Sequence, residues 1–416
     1  MRVWVFQTGE FLPYLEPGHR PMRAANLTAT LEARGHTVTL WTADFNHYTK
    51  RHRFGRDTLY HATPTCEIRL IHSPGYTAHV GVGRLTDHAI LACRLATRLR
   101  HETPPDVAVV GYPPIETASV LVHWLQERGV PVFLDVKDQW PETYLRPVPA
   151  KLRVAGRALL APYSHWGRRA MREATGLVSI SEPFLRWAIE WSGRESGPHD
   201  HVAYLTPQLQ ELTSEQLREA ATWWDDLGVK REGLPRATYV GSLSGILDLE
   251  PIFDAAEQRP DWQFVLAGHG PLHESLVAVS DRRTNIVVPG WIDAARARVL
   301  YQRSTAALIP YRPEAAFLLS IPNKTFDALG AGVPILTSLG GELGDLISRE
   351  RVGFRYGRGS ASLESRLAAI ATDDSLRESL SAQARQLYEC QYSFEKVYGD
   401  LCSKIESAVT DGIGDA

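Results

Sequence analysis

The two halves of this chain repeat one pattern: short, wholly apolar runs alternate with amphipathic stretches long enough for helices. Val3–Gln7 reads as a strand, Arg23–Arg34 as a helix stopped at Gly35, and Thr37–Thr42 as the next strand. Val107–Val110, Thr117–Arg128 and Val132–Val136 repeat the pattern. In the second half Ala237–Val240, Gln263–Leu266, Asn285–Val288 and Ala306–Ile309 are spaced by helical segments, and Pro334–Leu336 follows a helix over 323–330. Strands apolar along their whole length are buried on both faces, and helical crossovers make neighbouring strands parallel. The class is therefore α/β, with two Rossmann-like, doubly wound parallel sheets.

A length of 416 residues fits two domains. We expect a first domain over 1–205, a polar helical linker over 206–235 with Trp223 and Trp224 docked on one domain, a second domain over 236–385, and a C-terminal helix over 386–416 that returns to the first domain, with the final DGIGDA fraying. A net charge of −3 leaves no whole-molecule footprint for nucleic acid. The opening MRVWVFQTGE turns polar too soon for a secretory signal, no apolar run is long enough to span a bilayer, and Cys66, Cys93, Cys390 and Cys402 have no CxxC spacing. A cytoplasmic protein is expected.

Two doubly wound sheets raise the question of a dinucleotide, whose fingerprint is GxGxxG between a strand and a helix. That motif is absent. Gly268-His269-Gly270 follows a strand, but Pro271 comes next and the third glycine is missing. The turn is either a tight strand-to-helix connection or a place where backbone approaches a nucleotide. Ligands of open parallel sheets bind at the carboxyl ends of the strands. Three loops there stand out in the second half: Gly241-Ser242-Leu243-Ser244-Gly245, Gly268-His269-Gly270, and the approach to Ile321-Pro322-Asn323-Lys324.

The run SIPNKTFDALGAGVPILTS (320–338) carries the clearest local logic. Pro322 suits the first helical position, Asn323 and Lys324 fall in the first turn, and Gly330 and Gly332 close the helix before the next strand. A helix start beside a lysine favours a phosphate or diphosphate, and Asp327 shares a face with Asn323 and Lys324, where a carboxylate can accept ribose hydroxyls. The plain alternative is a surface helix in which Asp327 merely pairs with Lys324.

The chain as a whole resembles the GT-B-fold retaining glycosyltransferases of family 4, in the branch active on cell-surface polysaccharides and related glycans. The matching segments are Gly241-Ser242-Leu243, LAGHGPL (266–272), Pro289-Gly290-Trp291, Ile309-Pro310-Tyr311 and PNKTFDALGAGVP (322–334). In the first half they are the Thr8-Gly9 loop, RAANLTATLEARGHTVTLWT (23–42), DVKDQWPE (135–142) and VSISE (178–182). The resemblance implies two domains facing a cleft and a nucleoside-diphosphate sugar as substrate, UDP-sugar favoured, with no cofactor and no metal. It implies donor contacts from Gly9, Gly241, Ser242, Leu243, Ser244, Gly268, Gly270, Trp291, Ile292, Ser320, Pro322, Asn323, Lys324 and Asp327. Two features depart from the family pattern. Of the usual pair of glutamates eight apart, Asp327 replaces the second and Leu319 stands at the first. The Arg and Lys often found after the first glycine turn are replaced by Ser242 and uncharged neighbours, so diphosphate binding leans on Lys324.

In the first half, Glu10, Tyr112, Asp138 and Glu142 are candidate acceptor contacts, with Asp138 carried over by analogy as catalytic beside Lys324. Asp135 reads better as a hydrogen-bonded strand residue. There is no Asp-x-Asp beside a strand, and the 15 histidines show no HExxH. The resemblance implies retention, for which front-face attack is expected, with the leaving diphosphate taking the acceptor proton; no glycosidase-like carboxylate pair is visible. Two further segments carry charge. DFNHYTKRHRFG (44–55) reads as a surface loop near the acceptor side, or less well as a nucleic-acid patch. KLRVAGRALLAPYSHWGRRAMREATG (151–176) reads as a packed helix with a solvated basic face, or as a membrane-surface helix suited to a polyprenyl-linked acceptor. The acceptor is a saccharide, a lipid-linked saccharide or a natural product. The alternatives to a transferase are a non-hydrolysing nucleotide-sugar epimerase and a non-catalytic nucleotide-sugar-binding or scaffold protein.

Overall fold

The computed structural model describes residues 1–16, 18–78, 81–145, 148–357 and 362–414. The chain divides into two compact units, Met1–Leu205 with Val397–Ala416, and Thr206–Lys396.

In the first unit the strands are β1 (Arg2–Phe6), β2 (Thr37–Ala43), β3 (Phe45–Asn46), β4 (Arg51–His52), β5 (Thr58–His61), β6 (Cys66–Ile71), β7 (Val107–Tyr112), β8 (Val132–Val136), β9 (Gly176–Ser179) and β10 (His201–Val202). Eight of them form one sheet in the order β10-β9-β8-β7-β1-β2-β6-β5, while β3 and β4 pair as a separate antiparallel hairpin. Every pairing in the large sheet is parallel except that of β5 with β6. All residues of β7 and β8 are buried, as strands covered on both faces must be. The strand order reverses between β1 and β7, which defines the unit's topological switch point.

The second unit holds β11 (Arg236–Val240), β12 (Gln263–Ala267), β13 (Ile286–Val287), β14 (Ala306–Ile309), β15 (Ile335–Thr337) and β16 (Gly353–Arg355). Their order is β13-β12-β11-β14-β15-β16, with all pairings parallel and a switch point between β11 and β14. This is the same three-two-one-four-five-six winding that β6, β2, β1, β7, β8 and β9 make in the first unit.

The polar segment read as a linker is built into the second unit. Its helix Ser214–Asp226 starts in a capping box: Thr213 Oγ1 accepts from the Gln216 N–H at 3.2 Å, and Gln216 Oε1 accepts from the Thr213 N–H at 2.8 Å. Trp224 is fully buried among Val229, Val265 and Leu300, and its indole N–H donates to the Arg296 carbonyl at 2.8 Å. The charged residues seen in the sequence are the outer face of an inward-packed helix.

Helix Phe394–Gly414 joins the first unit from Val397 onward. Its Tyr398 hydroxyl accepts from Asn26 Nδ2 at 3.2 Å, and Glu406 accepts from Arg34 Nε at 2.8 Å. Of the expected frayed end, 411–414 is helical and the last two residues lie outside the described chain. The basic segment expected as one helix is broken into a turn at 150–152 and helices Arg153–Leu159 and Ala161–Glu173, the second opening with a proline in its first turn. Among the described residues no helix is long and apolar enough to cross a membrane, and all four cysteines are free.

Candidate functional site

In the second unit the loops leaving β11 and β12 run side by side. The Gly241 N–H donates to the Ala267 carbonyl at 2.9 Å, Leu243 N–H to His269 at 3.0 Å, and Leu272 N–H to Leu243 at 2.9 Å. A Cβ built on Gly268 would lie 1.7 Å from the Gly241 carbonyl oxygen, and one on Gly270 would lie 2.5 Å from that of Leu243. These glycines are required because backbone packs on backbone. The space a side chain would fill belongs to the neighbouring loop.

Lys324 lies across this pair of loops. A Cβ on Gly241 would fall 1.8 Å from Lys324 Cε. Its ammonium sits 5.8 Å from the centre of the Tyr239 ring and 5.7 Å from that of Tyr311, within reach of a cation–π attraction. Tyr239 lies in β11 and Tyr311 two residues beyond β14, so the charge is held at the switch point, the crevice where open α/β sheets take their ligands. Burial, and then the neighbouring Tyr311, push the Tyr239 phenol well above its ordinary range, and its hydroxyl donates to the Ser242 carbonyl at 2.8 Å. The Tyr239 ring is therefore neutral. Among the described residues the contacts of the Lys324 ammonium are the rings of Tyr239 and Tyr311.

The helix runs Lys324–Gly330, two residues later than a start at Pro322 requires. Asn323 occupies the N-cap with a helical backbone (φ −53°, ψ −32°) and no side-chain cap, and Thr325 N–H bonds back to the Pro322 carbonyl at 2.9 Å. The entry turn is thus tighter than an α-helical one. With only seven residues the helix carries a weak dipole, so any anion there is held chiefly by the Lys324 charge. At the far end Val333 N–H donates to Ala328 and Gly332 N–H to Leu329, both at 2.9 Å, with Gly332 at φ +67°, the closure that favours glycine. A Cβ on Gly332 would strike Arg385, and one on Gly330 would crowd the Tyr388 ring. The GAG of this run seats the helix Asp374–Leu387 and the turn after it.

The remaining donor candidates separate. Asp327 and Ser320 are half-buried on the same segment as Lys324, Pro322 is half-buried, and Asn323 is exposed. Ser242 is exposed, whereas Ser244 is half-buried and its carbonyl accepts from Leu247 N–H. Leu243 is fully buried and contributes backbone only. Trp291 is 64% exposed, but its neighbour Ile292 packs in the core beneath Trp224 and cannot reach a ligand.

In the first unit the switch point is occupied by a buried charged cluster. Lys137 Nζ donates to Gln7 Oε1 at 2.7 Å and Glu10 Oε1 at 2.8 Å and lies 3.5 Å from Asp135, while Arg23 Nε lies 3.7 Å from the same Asp135 oxygen. Burial works to lower the Lys137 pKa, but Glu10 and Asp135 outweigh it and the value is raised. Glu10 also accepts from the Ala24 N–H at 2.9 Å, fixing the start of helix Arg23–Ala33. Expected as an acceptor contact, Glu10 is instead committed to this framework. The same holds for Tyr112, which is fully buried with its hydroxyl donating to the Trp140 carbonyl at 2.7 Å.

Asp138 accepts three hydrogen bonds from its own loop: Gln139 N–H at 2.7 Å, Thr143 Oγ1 at 2.9 Å and Trp140 Nε1 at 3.1 Å. It organises the turn after β8. Glu142 is exposed at the start of the short helical turn Glu142–Leu145, and Gly9 lies in a left-handed conformation (φ +75°) beside His47. Sequence reasoning gave no role to Tyr239 or Lys137. The first is one of several tyrosines beside strands, and the second forms its ion pair with Glu10 across 127 positions, so only the sheet order reveals either.

Residues 248–403 match the model of a family described as glycosyl transferase-like. No curated protein matches the chain in sequence. Solved structures of the same fold include sucrose-phosphate synthase from Thermosynechococcus elongatus, with a TM-score of 0.66 and 15% identity over 98% of this chain and 99% of that one. WaaG, a glycosyltransferase involved in lipopolysaccharide biosynthesis, matches with a TM-score of 0.60 and 15% identity over 96% of this chain and 98% of its own. Anabaena HepE, solved in complex with UDP and in another structure with UDP-glucose, matches in the first with a TM-score of 0.62 and 13% identity over 98% of this chain and 99% of its own.

Proposed function

We propose that this chain, which has the GT-B glycosyltransferase fold its sequence resembles, moves a sugar from a nucleoside-diphosphate sugar to a hydroxyl of a saccharide or lipid-linked saccharide. The observation that carries this reading is Lys324: a cation held at the second unit's switch point against the rings of Tyr239 and Tyr311, beside the glycine turns that end β11 and β12. A diphosphate is the ligand whose charge such a site complements. UDP is the favoured nucleotide, because HepE, of the same fold, is solved with UDP and UDP-glucose.

In this reading Asp327 accepts the ribose hydroxyls, while the exposed Ser242 and the Gly241–Leu243 backbone line the diphosphate. Transfer proceeds with retention and without a metal. The bond from the anomeric carbon to the diphosphate breaks, the acceptor oxygen bonds to that carbon on the same face, and the acceptor proton passes to a diphosphate oxygen. Lys324 stabilises the charge that grows on the leaving group, and no protein nucleophile is needed. Asp138 acts as a positioning residue through its loop, and Glu142 is the exposed carboxylate beside it available to an acceptor.

A membrane-borne acceptor fits the first unit's surface. Val154 and Leu159 are 75% and 81% exposed, and Leu152 and Trp166 are also exposed, among the exposed Lys151, Arg153, Arg157, Arg168 and Arg169. Apolar side chains interleaved with cations suit the boundary of an anionic bilayer, consistent with a cytoplasmic protein peripheral to the membrane.

The test is thermal stabilisation of the purified chain by UDP, GDP, ADP, CMP and dTDP, without and with magnesium, since a ligand specific to the folded state raises Tm. A selective, metal-independent shift from UDP is expected. No shift from any nucleotide would remove the donor reading.

A further inference from the structure

The basic, histidine-containing stretch 44–55 has no part in the proposed transfer, yet it brings together a set of groups with the chemistry of a metal centre. Asp44 follows the carboxyl end of β2, His52 ends the hairpin strand β4, and His72 follows the carboxyl end of β6. One oxygen of the buried Asp44 carboxylate, Oδ2, lies 3.0 Å from His52 Nδ1 and 3.2 Å from His72 Nδ1. Three segments therefore aim two imidazole nitrogens at a single carboxylate oxygen. Both histidines are partly exposed, so the cluster is reached from solvent while its carboxylate is held inside.

We infer that Asp44, His52 and His72 form a zinc site. Zinc bonds of about 2.0–2.1 Å to imidazole nitrogen and carboxylate oxygen place tetrahedral ligand atoms about 3.3 Å apart. The Asp44–His52 and Asp44–His72 separations are within a few tenths of an ångström of that edge. Two nitrogens and one oxygen are a borderline donor set, suited to Zn²⁺ rather than to calcium or magnesium, which take all-oxygen shells.

The surroundings fit a metal on these nitrogens. His52 has an acceptor on each side of its ring: Asp44 Oδ2 faces Nδ1, and the Pro74 carbonyl faces Nε2 at 3.4 Å. A neutral imidazole carries one N–H and answers only one of them, whereas a protonated ring or a metal on Nδ1 answers both. With zinc on Nδ1, the remaining Nε2–H points at the Pro74 carbonyl, the arrangement that orients metal-bound histidines in general. The carboxylate is supported in the same way, since Asp44 accepts from the Phe54 N–H at 2.7 Å and the Gly55 N–H at 3.0 Å. The nearby Arg53 does not oppose a cation, because its guanidinium is engaged by Glu16 and by the carbonyls of Ala43 and Glu10.

Zinc binding replaces any proton on the two Nδ1 atoms, which passes to solvent, and leaves one coordination position open to water. Its structural effect is to pin the β3–β4 hairpin to the carboxyl ends of β2 and β6. Through Arg53 the same clamp extends to the 10–16 loop at the carboxyl end of β1. The site does not depend on Lys324 or on the nucleotide reading.

The test is titration of Zn²⁺ into the full-length chain after chelator dialysis, with a chromophoric chelator as competitor. One equivalent is expected to bind, with affinity falling at least tenfold in His52→Asn and in His72→Asn and unchanged in His61→Asn, which alters an exposed histidine outside the cluster. Absence of stoichiometric binding, or binding that survives both cluster variants, overturns the site and leaves a His–Asp–His hydrogen-bonded clasp. Should a cluster variant fail to fold, X-ray absorption of the zinc-loaded natural chain decides: a shell with two imidazoles supports the site, and one without them overturns it.

Discussion

Lys324 crosses Gly241 so closely that a single added methyl at Gly241 would fall 1.8 Å from Lys324 Cε and 2.6 Å from its Nζ. The obstructing atoms are the far end of a flexible chain, which can swing aside at little cost to folding. The corresponding methyl at Gly268 meets the Gly241 carbonyl at 1.7 Å, and backbone cannot swing. Gly241→Ala, strained by the φ of +156° at that position, is therefore expected to weaken nucleotide binding with a moderate loss of stability, whereas Gly268→Ala, at φ +146° and blocked by backbone as well, loses more, with about 1–3 kcal/mol from overpacking alone. Urea denaturation and a UDP titration on both variants check the contrast; equal stability losses would show that Gly241 is constrained by its backbone and not by Lys324.

If the Lys324 ammonium stabilises the leaving diphosphate, Lys324→Ala lowers kcat by about 10²–10³-fold, the scale for removing one preorganised charge-stabilising group. Asp327→Ala should act differently, weakening donor binding by about 1.5–3 kcal/mol as a lost charged hydrogen bond does. Steady-state kinetics with a transferable donor separate the two. A Lys324 variant in which only the acceptor KM moves would take that residue out of the chemical step.

The exposed Val154 and Leu159 side chains carry the membrane reading. Replacing Val154 and Leu159 by Ser removes exposed apolar area and should leave the fold intact, since neither side chain is buried. Co-sedimentation with phosphatidylglycerol vesicles is expected for the natural chain, reduced in the double variant and weak with phosphatidylcholine vesicles. Indifference to both lipid charge and the two substitutions would assign this face to something other than a membrane.

Acid should destabilise the first unit through His88. Burial, followed by the charges of Arg84 and His47, holds its pKa down at about 3. Below about pH 6.5 the unfolded chain takes up a proton that the folded chain refuses, so stability is complete above that pH and falls on acidification toward 3. The slope is about 1.4 kcal/mol per pH unit at most. Glu116, 3.9 Å from His88, is raised by burial, so it retains its proton better when folded and offsets part of the loss at the acid end. Denaturant unfolding at pH 7, 6 and 5 should show a steeper decline in the natural chain than in His88→Gln; parallel declines would acquit His88.

The parts of the fold legible in the sequence are those set by local apolar period: β7, β8, β11, β12 and β14 lie within a residue or two of where their runs predict them. The β3–β4 hairpin was not legible, because DFNHYTKRHRFG has no apolar alternation and its order comes from Asp44, whose carboxylate gathers Phe54, Gly55, His52 and His72. At the site, Lys324 and the glycine turns could be read from a strand end followed by a helix start. The fates of Glu10, Tyr112 and Asp138 could not, since a carboxylate near a strand end looks the same in sequence whether it faces a ligand or an internal donor. Ile292 illustrates the converse: beside an exposed Trp291, its burial is decided by Trp224, from the segment that composition marked as a linker.

Lys137 offers the sharpest test of the closed first-unit switch point. It is the shared cation of Glu10 and Asp135, and among the described residues the other cation at Asp135 is Arg23 at 3.7 Å. Lys137→Met keeps the length of the side chain while leaving two buried carboxylates short of a partner, which costs about 3–5 kcal/mol when a buried pair is broken from one side. Glu10→Gln in the same chain removes one of those stranded charges and should recover part of the loss while keeping an acceptor for the Ala24 N–H. A double-mutant cycle read from urea midpoints at constant m measures the coupling. Coupling well above 1 kcal/mol would mark the cluster as a framework on which the acceptor-side loops are built; additivity would mean that Glu10 holds its helix independently of Lys137 and is free to serve another partner.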